Sequence, residues 1–185
     1  MTKEDLEKEL ARPMGKKSVL KFAAIWAKNP DGITTLIDST FHKDQTCAFR
    51  AAWILENVFE LDIELLKQHV FYFLDRYPYQ QNLSCRRHFS KILMLALSQK
   101  SIKNSLKDYN WEPVVEATFE WLTSKDGPVA VQVNCLDILY HLRHIDTWIV
   151  EELEAQIVFL LKDGSAAMQS RGKRVLKKIN AKSRI

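Results

Sequence analysis

The apolar positions of the stretch from Asp44 to Val58 recur three times farther along the chain, and this recurrence restricts the fold more than any other feature of the sequence. The frame is Cys47, Ala51, Ile54, Leu55 and Val58. Moved by 38 residues it becomes Cys85, Phe89, Ile92, Leu93 and Ala96, and a further 46 residues give Val131, Cys135, Ile138, Leu139 and Leu142. A last step of 37 gives Met168, Gly172, Val175, Leu176 and Ile179. Offsets of 0, 4, 7, 8 and 11 fall on one side of a 3.6-residue helix, so each copy is read as a helix with the same buried face. Asp44, Asn82, Pro128 and Ser165 stand in one register ahead of the copies. Three of them are good N-caps, and proline is tolerated at a first helical position.

The segments between the copies repeat as well. Ile63, Leu66, Val70, Phe71 and Leu74 correspond to Trp111, Val114, Thr118, Phe119 and Leu122, and then to Ile149, Glu152, Gln156, Ile157 and Leu160, where Leu153 keeps the face apolar. Breaks at Pro78 to Gln81, Lys125 to Gly127 and Asp163-Gly164 have the length of turns in antiparallel helix hairpins. The connection from Gln99 to Asn110 is longer and accounts for the 46-residue step; Ile102 and Leu106 predict a short extra helical turn there. Ahead of the first copy, Thr2 to Ala11 is read as a helix with Thr2 and Asp5 as a capping pair and Leu6 and Leu10 as its stripe. Lys16 to Lys28 follows, with Val19, Leu20, Ala23, Ala24 and Ala27 on one side and Trp26 nearby. Asn29-Pro30-Asp31-Gly32 is a turn, and Ile33 to Phe41 is a short helix. No strand alternation of useful length is present.

Composition removes several function classes. The three cysteines, Cys47, Cys85 and Cys135, all fall on the apolar face and lack the paired spacing of a zinc site, so they read as core residues of a protein in a reducing compartment. The first ten residues are charged, without the apolar core of a signal peptide, and the apolar run Ile92 to Leu97 is too short to cross a bilayer; a cytoplasmic protein with no membrane association is expected. Phosphate-loop, dinucleotide, zincin and nucleophile-elbow motifs are absent, and five glycines leave no phosphate-cradling loop. No catalytic residue and no cofactor is implied. For a metal, the sequence offers one weak candidate, Asp137, His141 and His144, spaced i, i+4 and i+7 on one helix with no ligand from a second element, and a metal-dependent enzyme centred on His141 is one alternative for function.

The run from Asp44 through Phe49-Arg50-Ala51-Ala52 to Leu55 resembles the second helix of the HEAT and armadillo-like α-solenoids, built from two-helix units of about 37 to 47 residues. The resemblance covers Ile33 to the C-terminus. It implies an all-α fold, a right-handed α-α superhelix of stacked antiparallel helix pairs with about nine or ten helices in one domain over 1–185. Within it, 1–30 would be N-terminal capping helices, 31–164 the helix-pair repeats and 165–185 a basic terminal helix and tail. Solenoids of this class act as binding scaffolds through a concave face, so a non-enzymatic module with a protein or peptide partner is expected.

Helix geometry nominates what would line that face. Arg50, Trp53 and Asn57 flank the core stripe in the first copy. Their counterparts are His88, Lys91 and Leu95, then Asn134, Asp137 and His141, then Arg171, Arg174 and Lys178. Two readings compete for this ladder: a hydrated flank with hydrogen bonds between repeats, and a groove for a partner. The chain carries 27 basic and 23 acidic residues, and seven of the basic ones, with no acid, lie from Gly164 onward. Such a terminal helix serves either as a polar cap or as a polyanion site, with Arg171, Arg174, Lys178 and Lys182 in one stripe. Nucleic acid is therefore the alternative partner. Trp53, Trp111, Trp121 and Trp148 also invite comparison with DNA-alkylation-repair glycosylases, which are built from HEAT-like helices, although no catalytic aspartate of theirs carries over.

Overall fold

Four of the helices in the computed structural model, which describes residues 3–182, are the four copies of the repeated frame. In chain order the helices are α1 (Lys3–Ala11), α2 (Lys16–Trp26), α3 (Ile33–Ser39), α4 (Gln45–Leu61), α5 (Ile63–Arg76), α6 (Leu83–Ser98), α7 (Lys100–Ser105), α8 (Glu112–Thr123), α9 (Val129–Leu142), α10 (Thr147–Leu160) and α11 (Ala166–Lys182). The copies are α4, α6, α9 and α11. Eleven α-helices among the described residues exceed the nine or ten expected, because the extra turn in the Gln99 to Asn110 connection completes a short helix of its own, α7. The anticipated Thr2 cap lies outside the described residues.

Caps explain where the copies begin. Asp44 accepts from the amides of Thr46 and Cys47, both at 2.9 Å, and Asn82 accepts from Ser84 and Cys85 at 3.0 and 3.3 Å. Ser165 Oγ accepts from the Met168 amide at 3.3 Å. Each satisfies amides that the first helical turn leaves without an intrahelical acceptor. Behind the caps, all twenty frame positions are buried except Leu176, which is half-buried. Gly172 holds the frame position filled by Ala51, Phe89 and Cys135 in the other copies. A Cβ there would stand 3.1 Å from Ile157 and 3.2 Å from Leu161, so the missing side chain lets α11 lie close against α10.

In α5 and α8 the buried face lies in a register about three residues later than expected, whereas α10 keeps the expected one, with Ile149, Leu153 and Ile157 buried. Leu66, Val70, Phe73, Leu74 and Tyr77 are completely buried, while Phe71 is 47% exposed. In α8 the residues Val114, Val115, Ala117, Thr118, Trp121 and Leu122 are buried, as is Trp111 just ahead of it, while Phe119 is only half-buried. In α2, likewise, Val19, Ala23 and Trp26 face inward and Leu20 and Ala24 face solvent. Thr118 is tolerated inside because its hydroxyl donates to the Val114 carbonyl, one turn back.

The helices form two compact units, the first ending at Leu106 and the second beginning at Lys107. In the first, α4 packs on α1, α2, α3, α5 and α6, while α7 closes against α5 and α6 through buried Ile102. In the second, α9 packs on α8, α10 and α11. The boundary falls inside the long Gln99 to Asn110 connection, the place where the repeat spacing lengthens. No helix among the described residues is long and apolar enough to cross a membrane.

Candidate functional site

The ladder residues lie on α4 and α6 in the first unit and on α9 and α11 in the second, and in each unit one buried carboxylate gathers two nitrogen-bearing side chains from the next copy. In the first unit that carboxylate is Glu56, which is 6% exposed. Lys91 Nζ donates to its Oε1 at 2.5 Å, and His88 Nδ1 hydrogen-bonds its Oε2. An ionised carboxylate only accepts, so His88 carries hydrogen on Nδ1 when Glu56 is charged. Burial pushes the Glu56 carboxyl up, but the hydrogen bonds from His88 and Lys91 outweigh it and hold the group below the usual carboxylate range.

In the second unit the acceptor is Asp137. Arg171 donates to its Oδ2, and Arg174 reaches both oxygens at 3.0 and 3.2 Å. Arg171 and Arg174 hold the same two register positions in α11 that His88 and Lys91 hold in α6. One device therefore appears in both units: two nitrogen-bearing side chains three residues apart on one copy close on a buried acid of the copy before it. Lys178 continues the column with its ammonium 5.3 Å from the Tyr140 ring centre, a cation–π distance, and Arg143 lies 3.9 Å from the same ring.

The remaining sequence-nominated residues divide. Arg50 donates to the Leu10 carbonyl at 2.7 Å, satisfying an acceptor in the last turn of α1. Trp53 is half-buried, its ring 5.8 Å from that of Phe49, which also contacts the His88 ring at 5.3 Å. Asn57 bonds back to the Trp53 carbonyl at 2.8 Å, and Asn134 is half-buried on α9. Of the metal candidates, Asp137 is held by the two arginines, His141 is half-buried beside Tyr140, and His144 is exposed in the turn after α9. Among the described residues no group of three histidines, cysteines or acids is placed to hold a metal ion. The three thiols are all free and buried; burial raises Cys47 and pushes Cys85 up to about 12, leaving negligible thiolate on either at neutral pH.

Sequence reasoning missed Glu56. Its signal was present, since it lies one turn beyond Trp53 and is opposite in charge to Lys91 of the next copy, three residues after His88. Glu56 also titrates in a definite direction. A carboxyl whose folded pKa is depressed contributes stability that is full above its unfolded value, about 4.3, and is lost as pH falls through the folded value. Acid denaturation of Glu56→Gln should therefore show a flatter loss of stability between about pH 5 and 3 than the parent. Equal slopes would mean the carboxylate is not held as described.

A family model described as a HEAT repeat domain matches residues 6–179, which takes in both units and all four copies. No curated protein and no solved structure matches the chain. With the four-fold helical frame, the capped copies and this match over nearly the full length, the chain belongs to the HEAT repeat family.

Proposed function

We propose that the protein is a non-enzymatic interaction module that holds a protein or peptide partner against its inner helices, the face that is concave in solenoids of this family. The candidate contacts are Arg50, Trp53 and Lys91 in the first unit and Asn134, Arg171, Arg174 and Lys178 in the second, while His88, also nominated by the sequence, is buried against Glu56 and stands behind them. HEAT repeats commonly serve as protein-interaction scaffolds, which supports the reading. The observation that carries it is the Trp53 surface, where a half-buried indole sits beside Phe49, with Lys91 still 45% exposed at its side chain after pairing with Glu56. Partly covered aromatic side chains are what interface centres are enriched in, and tryptophan is prominent among the residues that carry binding energy. With the full chain as bait, a captured partner should be lost when Trp53→Ala is combined with Lys91→Ala, while the helical circular dichroism is kept. Undiminished capture by that variant would contradict the proposal.

The nucleic-acid alternative has less to work with. Of the four residues in the expected basic stripe, Arg171 and Arg174 are paired to Asp137 and Lys178 lies on Tyr140, while the side chain of Lys182 is outside the described residues. Four free phosphate contacts would give a salt slope of roughly 3 to 4 in log affinity, about 0.9 for each contact. Fluorescence anisotropy with duplex and single-stranded oligonucleotides at two salt concentrations is expected to show weak binding. Replacing the four residues with glutamine should change it little. Submicromolar affinity at physiological salt that disappears in the four-fold variant would replace the scaffold reading.

A further inference from the structure

A pocket of about 380 Å³ opens in the second unit where the first turns of α8 and α10 lie together, and its walls include Tyr109, Trp111, Glu112, Glu116, Asp146 and Trp148. Aromatic rings and carboxylates supply its chemistry. Tyr109 and Trp111 meet edge to face with centres 5.2 Å apart. Trp148 is 42% exposed and is backed by Phe119 at 5.6 Å. No lysine, arginine or histidine lines the pocket.

Two helix starts would ordinarily favour an anion, because their amides carry partial positive charge. Here side chains already engage an amide at each start. The Glu112 amide donates to Asn110 Oδ1 at 3.2 Å, and the Trp148 amide lies 3.4 Å from Asp146 Oδ1. A phosphate or carboxylate entering the pocket would meet three acidic side chains and no cation. Glu112 and Glu116, one turn apart on the same face of α8, have no ion-pair partner among the described residues. The field therefore selects a cation, and the rings offer faces to which a cation is attracted.

We propose that this pocket binds an arginine side chain presented by a peptide segment of a partner protein. Arginine fits better than a compact ammonium, because a planar guanidinium stacks on an indole while donating to two neighbouring carboxylates. The volume, near the lower end for ligand pockets, suits one side chain rather than a folded domain. The inference rests on the scaffold reading but uses a surface separate from Trp53 and Lys91, so the two can fail independently.

The test uses the full ¹⁵N-labelled chain and two short peptides, one with a central arginine and one with citrulline, its neutral isostere. Adding the arginine peptide should shift the indole N–H resonances of Trp111 and Trp148 saturably and leave that of Trp26 in place. The citrulline peptide should bind at least roughly tenfold more weakly. Glu112→Gln combined with Glu116→Gln should reduce arginine-peptide affinity by a similar factor, and raising the salt from 0.05 to 0.5 M should weaken it in the parent. Both substitutions lie on an exposed face, so the variant's unchanged dichroism would show that the fold is kept. Equal binding of the two peptides, absence of saturable shifts, or the same indole shifts produced instead by a single-stranded oligonucleotide would overturn the proposal. If partner capture persists while the arginine peptide fails to bind, the pocket assignment falls and the inner-face reading stands.

Discussion

Replacing Leu55, Leu93 or Leu139 with alanine should each destabilise the protein by about 2–5 kcal/mol in urea denaturation. The three side chains are wholly buried at the same frame position of α4, α6 and α9. Each truncation removes the transfer energy of the lost methyl groups and leaves a cavity that helices packed on both sides cannot fully close. Their counterpart in the last copy supplies the control. Leu176 is half-buried because no further helix covers α11 among the described residues, so Leu176→Ala should cost no more than about 1–1.5 kcal/mol. If Leu176→Ala proved as damaging as Leu93→Ala, the four copies would not share the packing described for them.

The second large effect belongs to Glu56. Glu56→Ala deletes an acceptor whose partner His88 is itself buried, so His88 Nδ1 loses its hydrogen bond without gaining access to water. Stranding a buried donor costs about 1–3 kcal/mol, and with the lost contacts of the side chain a total of about 2–4 kcal/mol is expected. Asp137→Ala should cost less, despite its two arginines. The side chains of Arg171 and Arg174 are 30% and 51% exposed, and both guanidinium groups can turn to water when the acid is gone. The ordering, with Glu56→Ala the more damaging, is the checkable part. An Asp137→Ala variant less stable than Glu56→Ala would reverse the account of which acid is the more committed.

The copies were legible because a helix buried on one side must place apolar residues at a fixed period, and four copies at one register leave little freedom to misread them. The partner helices were harder. α5 is apolar at Ile63 and Phe71 as well as on its true face, and with two interleaved apolar rows the period alone does not choose between Phe71 and Phe73. Tertiary packing chooses Phe73, which is wholly buried with its ring 4.9 Å from that of Phe89 on α6. The ladder was half legible. Its positions are legible, yet the sequence offers Asp137 only as a ladder residue and a weak metal candidate, although its cations stand in the same ladder one copy later. Periodicity within a helix reports which residues share a face. Complementarity between copies reports what they do there, and Glu56 with His88 and Lys91 becomes visible only when columns of adjacent copies are compared for opposite charge. The aromatic pocket was not legible by either route, because its walls come from the loop before α8 and the loop before α10, more than thirty residues apart.

The central claim is that ladder cations bond copy to copy, and a double-mutant cycle between Asp137 and Arg171 tests it most directly. Asp137→Asn, Arg171→Met and the double variant would be compared with the parent by denaturation. Side chains in one hydrogen-bonded ion pair couple by about 0.5–3 kcal/mol, whereas independent sites add to within about 0.3–0.5 kcal/mol. The account predicts a coupling of at least about 1 kcal/mol, with the double variant more stable than the sum of the single losses would allow. Additive losses would mean that Arg171 is not held by Asp137 in solution, and that the cations of α11 are a free surface after all.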